Sequence, residues 1–412
     1  MKKTNGWQFI PSLYLCQGIP SCLVMQTSAL LFADMGIDKG SFAFWTSIVC
    51  LPWSLKPLIS PVVERYSTLR RWTLTMQVLL AVCMGLLALS FGSNNFYVLS
   101  LVAMGLVALA SSAHDIACDG YYMMALDERG QSFFVGIRST FYRIALIFST
   151  GLIPYMAGKI GREHGNATGW TVAIGTAATI LLILFVYNNF FMPRIAEQHG
   201  RQDNGIKIFI RALRSFFCHE GMVPAVAFFL LYRLGEAFLT KVLQPFLIAD
   251  PSTGGLGLTL EECGLTYGTF GVLSLVVGGI IGGTLAARYG LQKVIWPMAI
   301  AMNLPNLGYV VLAHYAAHAT MPIVTTAVMI EQFGYGFGFA AYMLYMLRYV
   351  GNAEYKAAEY AIGTALMTLG LLIPGMPAGY LCNAVGYETF FIIACVLTLP
   401  GMFVIRTLNW RK

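Results

Sequence analysis

The chain has 412 residues, of which 57% are apolar and only 11% charged, and its mean hydropathy is +0.68. A soluble domain needs far more polar surface, so this composition specifies a polytopic membrane protein. The net charge of +7 then reflects membrane orientation, and no nucleic-acid partner is needed to explain it.

A hydrocarbon core about 30 Å thick takes about 20 apolar helical residues to cross. Twelve such runs are predicted, at 8–34, 42–63, 73–91, 96–123, 133–157, 169–192, 222–249, 264–287, 294–313, 319–347, 359–383 and 388–408. The expected fold is therefore all-α. The first run follows Lys2 and Lys3 and has no small-residue cleavage site, so it reads as a retained helix and not a secretory signal. One long polar stretch divides the chain into a six-helix bundle at 1–192, a linker at 193–221 and a second six-helix bundle at 222–412. Residues 206–217 of the linker are basic and amphipathic, a pattern that suits either the inner leaflet or a plain tether.

Once the spans are fixed, Lys and Arg crowd the side of the termini, with Lys2, Lys3, Arg70, Arg71, Arg194 and Arg214 among them. The opposite side has Lys39, Lys159 and Arg162. This asymmetry places both termini in the cytoplasm. The nine cysteines form no CxxC pair and have no histidine spacing suited to a metal, so they read as small buried hydrophobes, with neither metal nor cofactor expected.

Charge inside an apolar span is costly and is normally retained for function. Among the charges within the predicted spans are four acids, Asp115, Asp119, Glu236 and Glu331, and four bases, Lys56, Arg143, Arg233 and Lys241, and these are expected to pair when no substrate is bound. Asp115 and Asp119, at i,i+4, share a helix face with Ser112 and Tyr122. Comparable polar stripes run through Tyr14, Gln17, Ser21 and Ser28, through Arg233, Glu236, Thr240 and Gln244, and through Glu331, Tyr335 and Tyr342. Four such stripes on four helices suggest a polar cavity. Asp115 and Glu331, 216 residues apart, are expected at equivalent places in two repeats.

The loop after the second run has Glu64-Arg65 followed by Arg70-Arg71, and the loop after the eighth has Gly283, Arg288 and Gly290 followed by Lys293. Together they resemble the signature loops of the major facilitator superfamily. In that family the loops govern rocking of the two halves, and helices 1, 4, 7 and 10 line the central cavity. At a finer level five stretches resemble the AmpG-type muropeptide permeases of that superfamily. They are Gln17-Gly18-Ile19-Pro20, 51–57 (LPWSLKP), 114–119 (HDIACD), Glu128-Arg129-Gly130 with Tyr142-Arg143, and 232–237 (YRLGEA). The resemblance implies proton-driven import of N-acetylglucosaminyl-anhydro-N-acetylmuramic acid and its peptides across a bacterial inner membrane.

The expected protein is a monomeric symporter in the lipid bilayer, with protons and a small amino-sugar substrate as partners. Asp115, Asp119, Glu236 and Glu331 are the proton-coupling candidates. Gln17, Lys56, Tyr142, Arg143, Arg233, Thr240, Lys241, Gln244 and Tyr335 are the substrate candidates, since cations suit a lactyl or peptide carboxylate and rings can stack on sugars. A symporter of another amino sugar or glycan fragment fits the same pattern. A polytopic membrane enzyme fits poorly, for no HExxH, GxSxG or Walker motif is present. A sensor without flux is the remaining alternative.

Overall fold

The structure, a computed structural model, describes residues 5–195, 205–351 and 356–408. Every regular element among them is helical. Among the described residues ten helices are long and apolar enough to cross a membrane, from Ile10–Asp34 to Ala378–Ile405. The other two expected spans are the 30-residue helix Met321–Val350 and the broken run from Lys39 to Tyr66.

Apolar side chains cover the outside of these helices as well as the inside. Along Leu69–Ser90, Leu80, Met84 and Leu87 face inward, while Val78, Val82, Leu86 and Leu89 are exposed. Phe96–Ala125 likewise exposes Val98, Val102, Leu106 and Leu109 and buries Val107, Ser111, Ser112 and Asp115. Polar groups inside and apolar groups outside are what a hydrocarbon solvent selects.

The chain folds as two compact units, one of residues 1–31 and 49–206 and the other of residues 32–48 and 207–412. Segment 32–48 thus goes with the second unit, to which Asn383 ties it by donating to Asp38 at 2.6 Å.

Prolines set the breaks. The run expected at 42–63 is three pieces, Lys39–Val49, Leu51–Ser54 and Lys56–Tyr66, with Pro52 and Pro57 in the first turns of the last two. Lys56 therefore stands at the start of a helix. The span starting at Leu291 kinks through a 3-10 turn at Leu304–Asn306, which contains Pro305. Pro20 lies in Ile10–Cys22, which continues into a π-helical turn at Leu23–Thr27. The seventh span is broken without proline. Met222–Leu231 ends, Arg233 leaves helical geometry (φ −106°, ψ 20°), and Leu234–Ile248 resumes.

Glycine sets the closest packing of the second unit. A Cβ on Gly278 would collide with the Phe333 carbonyl oxygen, and one on Gly336 with the Leu275 carbonyl oxygen. Helices Val272–Tyr289 and Met321–Val350 thus meet backbone to backbone.

Candidate transport site

In the first unit, the Lys56 ammonium donates to Asp115 Oδ2 at 2.6 Å. Asp115 is almost wholly buried, and Gln17 faces the same carboxylate. Four residues on, Asp119 accepts from the Tyr14 hydroxyl at 2.7 Å and pairs with Arg138 at 3.2 Å. The Arg138 guanidinium lies over the rings of Tyr14 and Tyr122, at 4.7 and 5.2 Å. Arg138 was not among the expected site residues. It is the eleventh residue of helix Glu128–Ile147 and falls near the start of the run predicted at 133–157, where a base reads as a span-end charge; the only hint of its role is that Asp119 needs a cation.

Arg143 and Tyr142 lie one turn further along that helix, both half-buried. Among the described residues Arg143 makes no ion pair or hydrogen bond. Arg70 donates to the carbonyls of Asn189 and Met192, at 2.8 and 3.0 Å, and so closes the C-terminal end of helix Asn166–Phe191. The Arg71 backbone N–H is capped by Thr68 at 3.2 Å. The side chains of Glu64 and Arg65 lie outside the described residues.

In the second unit, Arg233 stands at the helix break, donates to the Tyr335 hydroxyl and faces the ring of Phe339 at 5.1 Å. It makes no ion pair with Glu236 among the described residues. Their i,i+3 spacing does not align them, because the helix starts only after Arg233. Glu236 is buried within electrostatic reach of Arg233 and Glu331. Lys241 donates to Thr46 at 3.0 Å, Thr240 bonds back to the Ala237 carbonyl, and Gln244 meets the Tyr267 hydroxyl. Glu331 is 1% exposed and accepts from Tyr309 and Gln332, both at 2.9 Å. Gly283 faces open space, and Gly290 ends its helix at φ +83°, just beyond Arg288, whose guanidinium lies over Tyr289.

Two expectations are thereby corrected. The four acids and four bases do not pair off one to one: Lys56 pairs with Asp115. Asp119 uses Arg138 instead, and Glu331 uses neutral donors. Nor are Asp115 and Glu331 equivalent. Their helices are each 30 residues long, but Asp115 is the twentieth residue of Phe96–Ala125 and Glu331 the eleventh of Met321–Val350. Asp115 thus lies nine residues, about 14 Å of rise, further along its helix than Glu331 does along its own.

Apolar helices that turn charged groups inward suit a membrane protein that carries a polar solute across the bilayer. The Major Facilitator Superfamily model matches residues 13–373, and the chain belongs to that superfamily. It is a multi-pass membrane transporter and not an enzyme. Among curated relatives it is 26% identical over 415 residues to the anhydromuropeptide permease of Escherichia coli K12, covering 97% of this chain and 80% of that one. It is 28% identical over 398 residues to a Haemophilus influenzae protein of uncharacterised function, covering 93% and 90%. The solved D-xylose–proton symporter has the same fold, with a TM-score of 0.75 at 10% identity and 98% of each chain covered.

Proposed function

We propose that the protein is a proton-coupled importer of anhydromuropeptides, working as a monomer in a bacterial inner membrane with both termini cytoplasmic. Bundles 1–192 and 222–412, joined by 193–221, are the proposed moving halves. The observation that carries the reading is the state of the four bases. Lys56 is held by Asp115, Arg233 by Tyr335 and Lys241 by Thr46, whereas Arg143 is half-buried with no ionic or hydrogen-bonding partner among the described residues. A cation kept in an apolar bundle without a counter-ion suits a ligand that brings the anion. Muropeptides carry lactyl or peptide carboxylates, and the likeness to the Escherichia coli permease supports that class.

Tyr142 and Tyr335, next to Arg143 and Arg233, offer rings to the sugars. Gln17, Thr240 and Gln244 offer neutral hydrogen bonds. The proton is assigned to Glu331, because a buried carboxyl served only by neutral donors is held more cheaply as the acid than as the anion. Asp115, Asp119 and Glu236 remain its competitors for that role.

The test is uptake of labelled N-acetylglucosaminyl-anhydro-N-acetylmuramic acid into proteoliposomes under an imposed proton gradient. Accumulation that a proton ionophore abolishes is the expected result. Accumulation unchanged by the ionophore overturns proton coupling. No uptake of this substrate, with uptake of another acidic amino sugar from the same panel, overturns the muropeptide assignment and favours the other glycan fragment.

A further inference from the structure

The linker helix Gly205–Cys218 carries three different faces. Phe209, Ala212 and Phe216 dock on the core of the second unit, where Phe216 meets Tyr349 edge-on at 5.1 Å. Two polar contacts fix the rotation of the helix about its axis. The Tyr349 hydroxyl donates to the Phe216 carbonyl at 2.8 Å, and just past the helix His219 bonds to the fully buried Glu359 at 2.7 Å.

With that face fixed, Ile210, Leu213 and Phe217 form an exposed apolar ridge, about a quarter-turn round from the docked face. About a quarter-turn further lie the exposed Arg211 and Arg214. A helix surrounded by water has no use for an apolar ridge beside its docking face. A helix lying against a bundle at the membrane surface needs this order: protein on one side, acyl chains on the next, headgroups on the third.

We propose that the Ile210-Leu213-Phe217 ridge is seated in the lipid leaflet on the linker side of the membrane, with Arg211 and Arg214 on anionic headgroups. The occupant is lipid because the chain runs from the ridge within a few residues into the apolar span that starts at Met222, whose Val223 is 70% exposed. Charge complementarity selects the anionic kind.

The exposed Cys218 provides a probe, the other described cysteines being buried or half-buried. The full chain is labelled with a fluorophore either at Cys218 or, in a Cys218→Ser background, at Phe217→Cys. It is then reconstituted into phosphatidylcholine vesicles with and without phosphatidylglycerol. The Phe217→Cys label should be quenched by acyl-chain nitroxides and shielded from aqueous iodide, while the Cys218 label should respond to headgroup nitroxides. Quenching should be stronger with phosphatidylglycerol.

Arg211→Gln with Arg214→Gln should remove that dependence, at roughly fivefold per arginine in the equilibrium between leaflet-bound and water-exposed helix. Arg211→Lys with Arg214→Lys should retain it. The proposal is overturned if both labels are quenched by iodide alike and by no lipid quencher, or if the lysine pair loses the dependence along with the glutamine pair.

Discussion

Asp115 and Glu331 are both buried acids on 30-residue helices, and they are satisfied in opposite ways. Asp115 is held by an ammonium, Glu331 by a phenol and an amide. An ion pair of this kind tolerates neither partner alone, because each leaves the other as an uncompensated charge. A carboxyl among neutral donors keeps those hydrogen bonds in both protonation states, since its carbonyl oxygen still accepts when the group is an acid. The first arrangement suits a fixed strut, the second a group that changes charge during a cycle.

The most drastic way to break this comparison is Glu331→Gln. Accumulation against a gradient should be lost, while counterflow of substrate between equilibrated compartments should persist. If Asp115→Asn gives that result and Glu331→Gln does not, the roles are reversed.

Next in size is the strut. Lys56→Met alone should lower stability by about 2–3 kcal/mol, less than for a fully buried pair because solvent reaches the lysine, and Lys56→Met with Asp115→Asn should recover most of the loss. Thermal unfolding of the purified protein in detergent measures both. Equal losses in the single and double variants would mean that the pair adds nothing through its partnership.

Arg143→Gln should weaken binding of an acidic substrate by about 1.5–3 kcal/mol and leave binding of the carboxyl-amidated ligand nearly unchanged. Titration calorimetry with the two ligands checks this. The smallest effect is expected at Tyr309→Phe, which removes one of two neutral donors to Glu331 and should cost about 0.5–1.5 kcal/mol of stability. A loss as large as that of Lys56→Met would show that Glu331 is held as a charge after all.

Much of the fold was legible because hydropathy sets the spans almost by itself, and the charged residues stood out against apolar runs. Lys56 and Asp115 were both visible in this way, although not as partners. Arg138 was hidden because it falls near the start of its predicted run, where basic residues are common. Tyr309 and Gln332 carry no charge and so leave no mark in an apolar span.

The same is true of a buried chain in the first unit. There Ser12 donates to Asn188 at 2.5 Å, Asn188 to Gln77 at 3.2 Å, and Gln77 meets His114 at 3.2 Å. Neutral amides and hydroxyls follow no period, and their partners come from other helices, so only the folded chain brings them together. The supposed equivalence of Asp115 and Glu331 failed for a related reason, since a separation counted in sequence says nothing of where along its helix each residue falls.

The contact of Gly278 and Gly336 with facing carbonyls bears on how this chain can vary. Positions on the lipid side, such as Leu89 at 73% exposure, ask only for an apolar residue and can drift freely. At the glycine seam even one added methyl group has nowhere to go. A saturation mutagenesis map would therefore show Gly278 and Gly336 as intolerant as Asp115, although neither glycine carries charge or chemistry.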